Sequence, residues 1–389
     1  GYDSLRVPVT VVADQIQYKS MYLNESSIQL STVSVSGKKE KARTEVQISS
    51  LKVTPRQIKS LPSTGGEADI AQYLQIIPGV ITTGDQGGQI YIRGGSPVQN
   101  LVLLDGMPIY NPFHSIGFFS VFETEAIRRV DVLNGGFNAE YGGRISAIVD
   151  IQTREGNKKR YSGLVSANPF IAKTLLEGPI IPLKENGGGA ISYLFTAKHS
   201  YINETSKTLY PYAASDSIGL PFQFTDYFGK LTISGSSGSR LNLFGFNFKD
   251  RVNYSGIAAF NWEAFGGGAN FTLIPSNSSL VIDGTVGYSD YEISLQESDE
   301  EPRTSSISGF NLNLNFTYFG NDSEIKYGIA FNGFTTDLRF RNFLGVTFTQ
   351  EENTTELAGY FKYRQKLGKV IIEPSVRAQY YASLSNFSF

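Results

Sequence analysis

The fold is decided by five short motifs between residues 74 and 150: Leu74-Gln-Ile-Ile-Pro-Gly-Val80, Ile90-Tyr-Ile-Arg-Gly-Gly95, Leu103-Leu-Asp-Gly-Met-Pro108, Ile127-Arg-Arg-Val-Asp-Val-Leu-Asn-Gly-Gly136 and Tyr141-Gly-Gly-Arg-Ile-Ser-Ala-Ile-Val-Asp150. Runs of branched apolar residues between Gly pairs and Pro are typical of short strands joined by tight turns. The segment from Ala68 to Ile77 has apolar residues at helical spacing and is followed by Pro78-Gly79. The stretch therefore predicts a small α+β module.

The residues before these motifs predict further elements. Thr54-Pro55 opens a helix, because Thr is a good N-cap and Pro fits the first turn. The alternation in Val46–Val53 predicts a strand, and Leu5–Val12 and Ile28–Val35 predict two more. The part before residue 37 is too short to bury a core of its own.

Composition excludes several classes of protein. The 389 residues include no Cys and two His, at positions 114 and 199, which rules out disulfides and thiolate metal sites and leaves little for a His-based site. A net charge of -2 shows no basic excess of the kind that nucleic-acid binding requires. No pair of carboxylates has a convincing catalytic context. We therefore expect no enzyme, no cofactor, no metal site and no nucleic-acid partner.

From Tyr161 onward the pattern takes a period of two. The clearest run is Phe310–Tyr318, in which apolar or aromatic residues alternate with Asn and Thr. Such a strand has one apolar face and one hydrated face, as in the wall of a membrane β-barrel. The 22 Tyr and 27 Phe of the chain suit the same setting. A soluble β-sandwich also alternates, but its inner face rarely carries so many aromatic residues.

The connections alternate between short and long. Tight turns are expected near 182–189, 235–238, 275–278, 320–323 and 367–369, and longer polar loops near 201–222, 251–261, 296–303 and 339–353. Outer-membrane barrels have short periplasmic turns and long extracellular loops. We expect roughly eleven strands in such an antiparallel wall.

In order and spacing, the five motifs resemble the plug domain of TonB-dependent outer-membrane receptors. The resemblance implies an α+β plug at residues 44–155 inside a transmembrane, antiparallel β-barrel, whose N-terminal half occupies residues 161–389. Residues 1–36 are similar to the end of the carboxypeptidase-regulatory-like β-sandwich that Bacteroidota members carry; a flexible leader is the alternative. The segment Asp131–Arg144 is similar to general Bacteroidota receptors and lacks the Ala-rich form of the glycan importers.

The resemblance also implies a larger protein. Family barrels close with about 22 strands, and an open barrel edge in lipid leaves unpaired backbone groups. We therefore expect a fragment that lacks the remaining strands and the TonB box. A split barrel completed by another chain is the alternative.

A plug–barrel lock is implied by the family's plug arginines, which pair with barrel Glu residues. Arg93 and Arg144 match those positions, and Glu177 is a plausible partner on an early strand; solvated arginines in ordinary turns are the alternative. An Arg beside Gly pairs can form two hydrogen bonds with a carboxylate. The plug signature glycines are Gly94, Gly95, Gly106, Gly135, Gly136, Gly142 and Gly143.

A candidate for substrate contact lies in the aromatic loop that follows the Asp105-Gly106 turn. Tyr110, Phe113 and His114 are the proposed contacts, and packing of the loop against the barrel wall is the alternative. The turn itself is interpreted as structural.

The function implied is import of a scarce ligand across the outer membrane of a Gram-negative cell by energy-coupled rearrangement of the plug. Its partners would be outer-membrane lipid, TonB of the inner-membrane energy complex, a small ligand such as a metal chelate, peptide or oligosaccharide, and a surface lipoprotein or larger complex. One alternative is a structural or accessory subunit on the same scaffold in an outer-membrane secretion or assembly complex. Another is a soluble β-rich adhesin.

Overall fold

The computed structural model describes most of the chain. The described residues are 5–12, 15–23, 50–63, 66–82, 89–134, 136–184, 188–212, 219–297, 301–342, 344–384 and 386–388.

The first large unit is an α+β module, here called the plug, at residues 50–160. Its elements are β1 (Ser50–Val53), α1 (Pro55–Lys59), α2 (Ile70–Gln75), β2 (Val80–Thr82), β3 (Ile90–Ile92), β4 (Asn100–Leu104), β5 (Met107–Pro108), β6 (Ile127–Leu133) and β7 (Ala147–Thr153). Five strands form one sheet in the order β1-β6-β7-β4-β5, and β2 pairs with β3. The β4–β7 pair is parallel and the others are antiparallel.

Local chemistry sets the two predicted helix starts. The backbone N–H of Thr54 donates to the side chain of Gln57 (2.9 Å), which completes a capping box before Pro55. Asp69 caps α2 by accepting from the amide of Ala71 at 2.8 Å. Because this cap lies after Ala68 and the helix ends at Gln75, α2 is shorter than predicted.

The predicted Asp105-Gly106 turn is confirmed. Both residues have positive φ, 52° and 89°, and they join β4 to β5 as a two-residue hairpin. A type I′ turn requires positive φ at both central residues, which Asp tolerates and Gly adopts freely.

The second unit is a single antiparallel sheet, here called the wall. Its elements are β8 (Ser162–Ala167), β9 (Ile171–Ile181), β10 (Ala190–Ser200), α3 (Ile202–Leu209), β11 (Phe222–Ser234), β12 (Arg240–Tyr254), β13 (Ala258–Leu273), β14 (Leu280–Glu297), β15 (Arg303–Phe319), β16 (Ser323–Arg341), β17 (Thr347–Leu367), β18 (Val370–Ile372), β19 (Ser375–Tyr381) and β20 (Asn386–Ser388). Neighbours in sequence pair, except that β18 and β19 both pair with β17. Twelve strands thus follow one another, one more than expected. Among the described residues, β8 and β20 each pair on one side.

The two faces of the wall have opposite chemistry. Polar and charged residues such as Lys198, Asp226 and Asn242 are buried on the face toward the plug. Large apolar residues such as Phe265 and Tyr327 are exposed on the other face. A soluble sheet shows the reverse arrangement, whereas a lipid-facing wall around a hydrated lumen requires this one.

Two of the predicted long loops, near 251–261 and 339–353, are wrong. The β12–β13 and β16–β17 pairs continue through these polar segments, and the first is joined across 255–257. The connection predicted near 296–303 lies between Glu297 and Arg303, partly outside the described residues. Backbone hydrogen bonds can extend a pair of strands whatever the polarity of the side chains. The polar segments of the sequence therefore show where the apolar band of the wall ends, and the strands continue beyond it. The connection between β10 and β11 is long and contains α3. At the other end of the wall, short connections are confirmed near 235–238, 275–278, 320–323 and 367–369. The connection at 182–189 is longer and lies partly outside the described residues.

The strand predicted at Leu5–Val12 is wrong. Residues 5–12 and 15–23 have no regular secondary structure. A backbone hydrogen bond joins Ile16 to Ser278 (3.0 Å), but no strand pairs with this segment within the described residues. Ile28–Val35 and the first part of Val46–Val53 lie outside the described residues, and the rest of the latter forms β1.

Within the described ranges, no helix has the length and apolar character needed to cross a membrane.

Candidate functional site at the plug–wall interface

Three wall lysines point inward where the wall meets the plug. Lys173, Lys198 and Lys230 lie on β9, β10 and β11 and are at most 8% exposed. Their ammonium groups contact plug oxygen atoms of Glu123 (2.9 Å), Ser120 (2.5 Å) and Asp105 (3.1 Å), in that order. A buried ammonium group without a partner is strongly destabilising, so these contacts hold the plug in place.

The imidazole of His114 joins the plug to two further strands. The ring is fully buried, with Nε2 at 2.8 Å from Asp226 and Nδ1 at 3.2 Å from Asp250. The amide of Ser115 also donates to Asp250 (2.7 Å), and the ring stacks on Phe224 with centroids 3.8 Å apart. A plug loop is thereby bonded to β11 and β12 together.

This geometry favours the charged form of the ring. Both ring nitrogens can donate only in the imidazolium. Burial alone lowers the pKa of His114, but Asp226 and Asp250 outweigh that effect and raise the pKa above its ordinary value. Lys198 lies 3.3 Å from Asp226, so two carboxylates face two cations.

The Asp105-Gly106 turn docks on the wall. Asp105 accepts from Thr153 within the plug (3.0 Å from the amide) and from Lys230 of β11. The side-chain amides of Asn270 and Asn311 donate to the carbonyl oxygens of Asp105 (3.1 Å) and Gly106 (3.3 Å). The turn is therefore both a hairpin connection and a contact point.

Met107, the next residue, fits a notch between β13 and β14. A Cβ atom on Gly287 would lie 2.0 Å from the Met107 Cε, and one on Gly268 would lie 2.9 Å from it. These two glycines lie opposite each other on the paired strands, so the space left by their lack of side chains is one continuous notch.

The partner of Glu177 differs from the expected one. Its carboxylate binds Arg154, with Nη2–Oε1 at 3.1 Å and a short Nη1 contact, and also accepts from the amide of Asn157 (2.9 Å). Arg154 directly follows β7, which brings it to β9, whereas Arg93 and Arg144 lie elsewhere in the plug. A plug arginine thus pairs with the predicted glutamate, but it is a different arginine.

The two predicted arginines occupy turns. Arg93 is exposed with φ of 48°, and its amide donates to Gly79. Arg144 donates to the carbonyl oxygen of Gly143 and lines a polar cavity. Their role in a lock stays a prediction. Of the signature glycines, Gly94, Gly106, Gly136 and Gly143 have positive φ, Gly95 and Gly142 closely approach Ser146 and Arg377, and Gly135 lies outside the described residues.

The three proposed substrate contacts have different surroundings. His114 is 0% exposed and packs against the wall, whereas Phe113 is 6% exposed and lines a cavity between plug and wall, where its role stays a prediction. That burial leaves His114 no surface for a ligand. Tyr110 borders two cavities, and its role stays a prediction.

A polar cavity of about 880 Å³ separates the plug sheet from β12–β17 and β19. Its lining includes the side chains of Asn242, Asn270, Asn311, Asn313, Asn315 and Asn332 on the wall and of Asp131 and Asp150 on the plug. At its edge Glu140 contacts Lys326 and Lys362, the latter at 3.3 Å. Burial raises the pKa of Glu140, but the two lysines outweigh it and hold the pKa below its usual value.

The residues that fasten the plug were mostly missed from the sequence. Four of them are charged residues at inward positions of wall strands in which inward and outward positions alternate: Lys198, Asp226, Lys230 and Asp250. A charged residue at the inward position of a long strand is the signal that would have found them. Their plug partners lie far away in sequence and have no such signal.

The comparisons with known proteins agree with this architecture. Residues 41–148 match the family described as TonB-dependent Receptor Plug Domain. The probable TonB-dependent siderophore receptor PirA of Acinetobacter baumannii is 34% identical over 122 residues, which cover 26% of this chain and 16% of that protein. These matches support a TonB-dependent receptor.

Solved structures show the same fold. The siderophore receptor PirA from Pseudomonas aeruginosa has a TM-score of 0.62 at 16% identity, over 87% of this chain and 57% of its own. The FrpB iron transporter from Neisseria meningitidis has a TM-score of 0.63 at 14% identity, over 85% and 57%. The chain therefore spans less than three fifths of these solved relatives. The predicted fold class, part of an antiparallel β-barrel with an internal plug, is confirmed.

Proposed function

We propose that the protein carrying this chain is an outer-membrane importer that takes up a small ligand by TonB-driven rearrangement of the plug. The observation that carries the proposal is the chemistry of the plug–wall interface. The plug is held by discrete ion pairs, such as Lys230 with Asp105 and Lys326 with Glu140, that border a polar cavity of about 880 Å³, so these contacts can be exchanged for water. Siderophore and iron receptors among the relatives support uptake of a metal chelate, with a peptide or oligosaccharide as further ligand classes.

Rearrangement requires that the plug break its contacts with the wall. Buried ion pairs cost several kcal/mol to separate without compensation. Water in the polar cavity offsets part of that cost on one side, and an external force on the plug supplies the rest. TonB is the proposed source of that force.

A reversible cross-link tests the rearrangement. A Cβ atom on Gly106 would lie 3.4 Å from the Cβ of Thr285, close to the spacing in a disulfide, and the chain has no Cys of its own. We expect cells with oxidised G106C/T285C to stop accumulating the solute that wild-type cells accumulate. Reduction should restore uptake. The single variants are controls, since G106C carries the same strain at positive φ.

The readout is a comparison of small molecules and metals accumulated by intact cells. The import proposal fails if no solute distinguishes the reduced from the oxidised double variant. It also fails if uptake continues after the proton-motive force is dissipated.

We infer, in addition, a Bacteroidota-type receptor with residues 1–36 at the end of a carboxypeptidase-regulatory-like domain. The support is the sequence of Asp131–Arg144, which is similar to general Bacteroidota receptors. Mass spectrometry of the protein from its own membrane tests this, because an N-terminal domain of that kind must then precede the plug.

A further inference from the structure

A second cavity, of about 470 Å³, lies between the plug and one end of the wall. Its wall residues include Phe222, Tyr254 and Phe260, which are the first residue of β11, the last of β12 and the third of β13. These are the ends opposite the tight turns. Under the proposed function this end faces the outside, because outer-membrane barrels place their short turns in the periplasm.

The lining of this outer cavity is uncharged. None of its described lining residues is Asp, Glu, Lys, Arg or His. Ile92, Val149 and Ile151 of the plug form one side, and aromatic rings of the wall form the other. Removing a charged group from water into such surroundings is strongly unfavourable unless it is paired.

A few polar groups lie at its border. The side-chain amide of Asn111 donates to the hydroxyl of Tyr291 at 3.3 Å, and Tyr110 lies beside them. Tyr110 and Tyr291 also border the polar cavity, so the two cavities adjoin there. An apolar cavity with a few convergent polar groups is the usual form of a small-molecule site, and its volume falls in the usual range.

We propose that the outer cavity binds an uncharged aromatic or branched-alkyl group of the imported ligand. The polar remainder of the ligand lies toward Tyr110 and Tyr291, where hydroxyl groups and the polar cavity begin. The outer cavity thus selects against ligands whose inserted end is anionic, since it offers no cation. This proposal rests on the proposed import function for the direction of entry.

A pair of dyes tests the chemistry. N-phenylnaphthylamine is neutral, and anilinonaphthalene sulfonate adds one negative charge to nearly the same aromatic frame. The protein, extracted in detergent from its own membrane, is titrated with each dye. Energy transfer from Trp262 reports binding, because its ring lies 5.9 Å from that of Tyr291. We expect saturable binding of the neutral dye and binding about tenfold weaker or worse for the sulfonate.

A matched pair of variants locates the binding. Val98 borders the outer cavity where it adjoins the polar cavity and is 78% exposed, whereas Ile145 is 79% exposed and lines neither of these cavities. Val98→Arg should weaken the neutral dye about tenfold, since it places a charged chain at the entrance. Ile145→Arg should leave binding unchanged. Equal affinity for both dyes, or equal behaviour of the two variants, would overturn the proposal.

The two proposals fail separately. If the dyes bind as expected but no solute depends on the cross-link, the proposed binding site in the outer cavity stands and the proposed import function fails. If the cross-link blocks uptake of a solute but Val98→Arg does not weaken dye binding, the proposed import function stands and the proposed binding site fails.

Discussion

The plug meets the wall in two sectors that differ in chemistry. Along β9–β12 the contact is mostly dry: Phe228, Phe244 and Phe248 pack with the plug core, and the buried Lys173 and Lys198 pair with Glu123 and Asp226. Along β13–β19 the plug contacts the wall directly at the Asp105–Met107 turn, a polar cavity lies beside that contact, and charged pairs such as Glu140 with Lys362 lie at its edge.

The difference teaches where the plug can move. Breaking a contact in the dry sector leaves a charge without solvent, whereas breaking one in the hydrated sector exposes it to water already present. We therefore expect the plug to separate first from β13–β19. Four variants, three of them also followed over pH, test these expectations in decreasing order of effect.

His114→Phe should cost about 3–5 kcal/mol of folding free energy, because the new ring still stacks on Phe224 but the buried Asp226 and Asp250 lose the imidazolium that pairs with both of them. Unfolding in detergent with increasing denaturant measures this. His199→Phe is the control, since His199 is exposed and bonds to Thr225. Its effect should be within about 0.5 kcal/mol. Equal losses for the two variants would contradict the assignment.

The cost of His114→Phe should depend on pH. The pKa of His114 is raised in the folded protein, so its stabilisation is complete below the unfolded value near 6.5 and is lost as pH rises through the folded pKa. Asp226, Asp250 and Lys198 are the charged groups that face it. If the difference in unfolding free energy between wild type and variant grew above neutral pH, it would contradict a raised pKa of His114.

Asp150→Asn should stabilise the protein by about 3 kcal/mol at pH 7. Burial, together with Asp131 on the opposite strand, raises the pKa of Asp150 to about 6. An acid whose folded pKa is raised costs stability as pH rises from about 4 to 6, so the gain should vanish near pH 4. Asp322→Asn, in an exposed turn, is the control. If the variant were still more stable than the wild type at pH 4, the charge on Asp150 would not be the cause of the gain.

Glu140→Gln should cost about 1 kcal/mol, less than the change at His114, since water reaches this pair from the polar cavity. The loss should shrink as pH falls through the lowered pKa of Glu140, because the wild-type carboxyl group is then protonated and, like the amide of the variant, carries no charge. Thermal unfolding at pH 7 and pH 4 measures both. Glu352→Gln, on an exposed stretch of β17, is the control. A loss as large as that of His114→Phe would abolish the distinction between the sectors.

Lys249→Ala should cost less than about 0.5 kcal/mol. Its ammonium lies 2.9 Å from Glu263 on the face of the wall away from the plug, and both side chains are nearly half exposed. The same unfolding assay measures it. A cost above about 1 kcal/mol would show that contacts outside the plug–wall interface matter as much as those within it.

The sequence predicted the features that depend on neighbours in the chain. Alternation in Phe310–Tyr318 found the wall, and the Asp105-Gly106 pair found the hairpin, because side-chain period and turn chemistry are local. The pairing of His114 with Asp226 and Asp250 joins residues more than 100 positions apart, which no local pattern records. For the same reason the contact of Glu177 with Arg154 was not predicted.

The notch that holds Met107 fixes the height of the plug along the barrel axis. Residues on one face of a strand recur every second position, or about 7 Å. Two residues nearer the tight turns, the positions that correspond to Gly268 and Gly287 are occupied by Asn270 and Thr285, whose side chains leave no such notch. A plug lowered by one repeat would press Met107 onto those side chains. Descent of the plug as a rigid body is therefore obstructed, so the loop that carries Met107 must unfold or swing aside first.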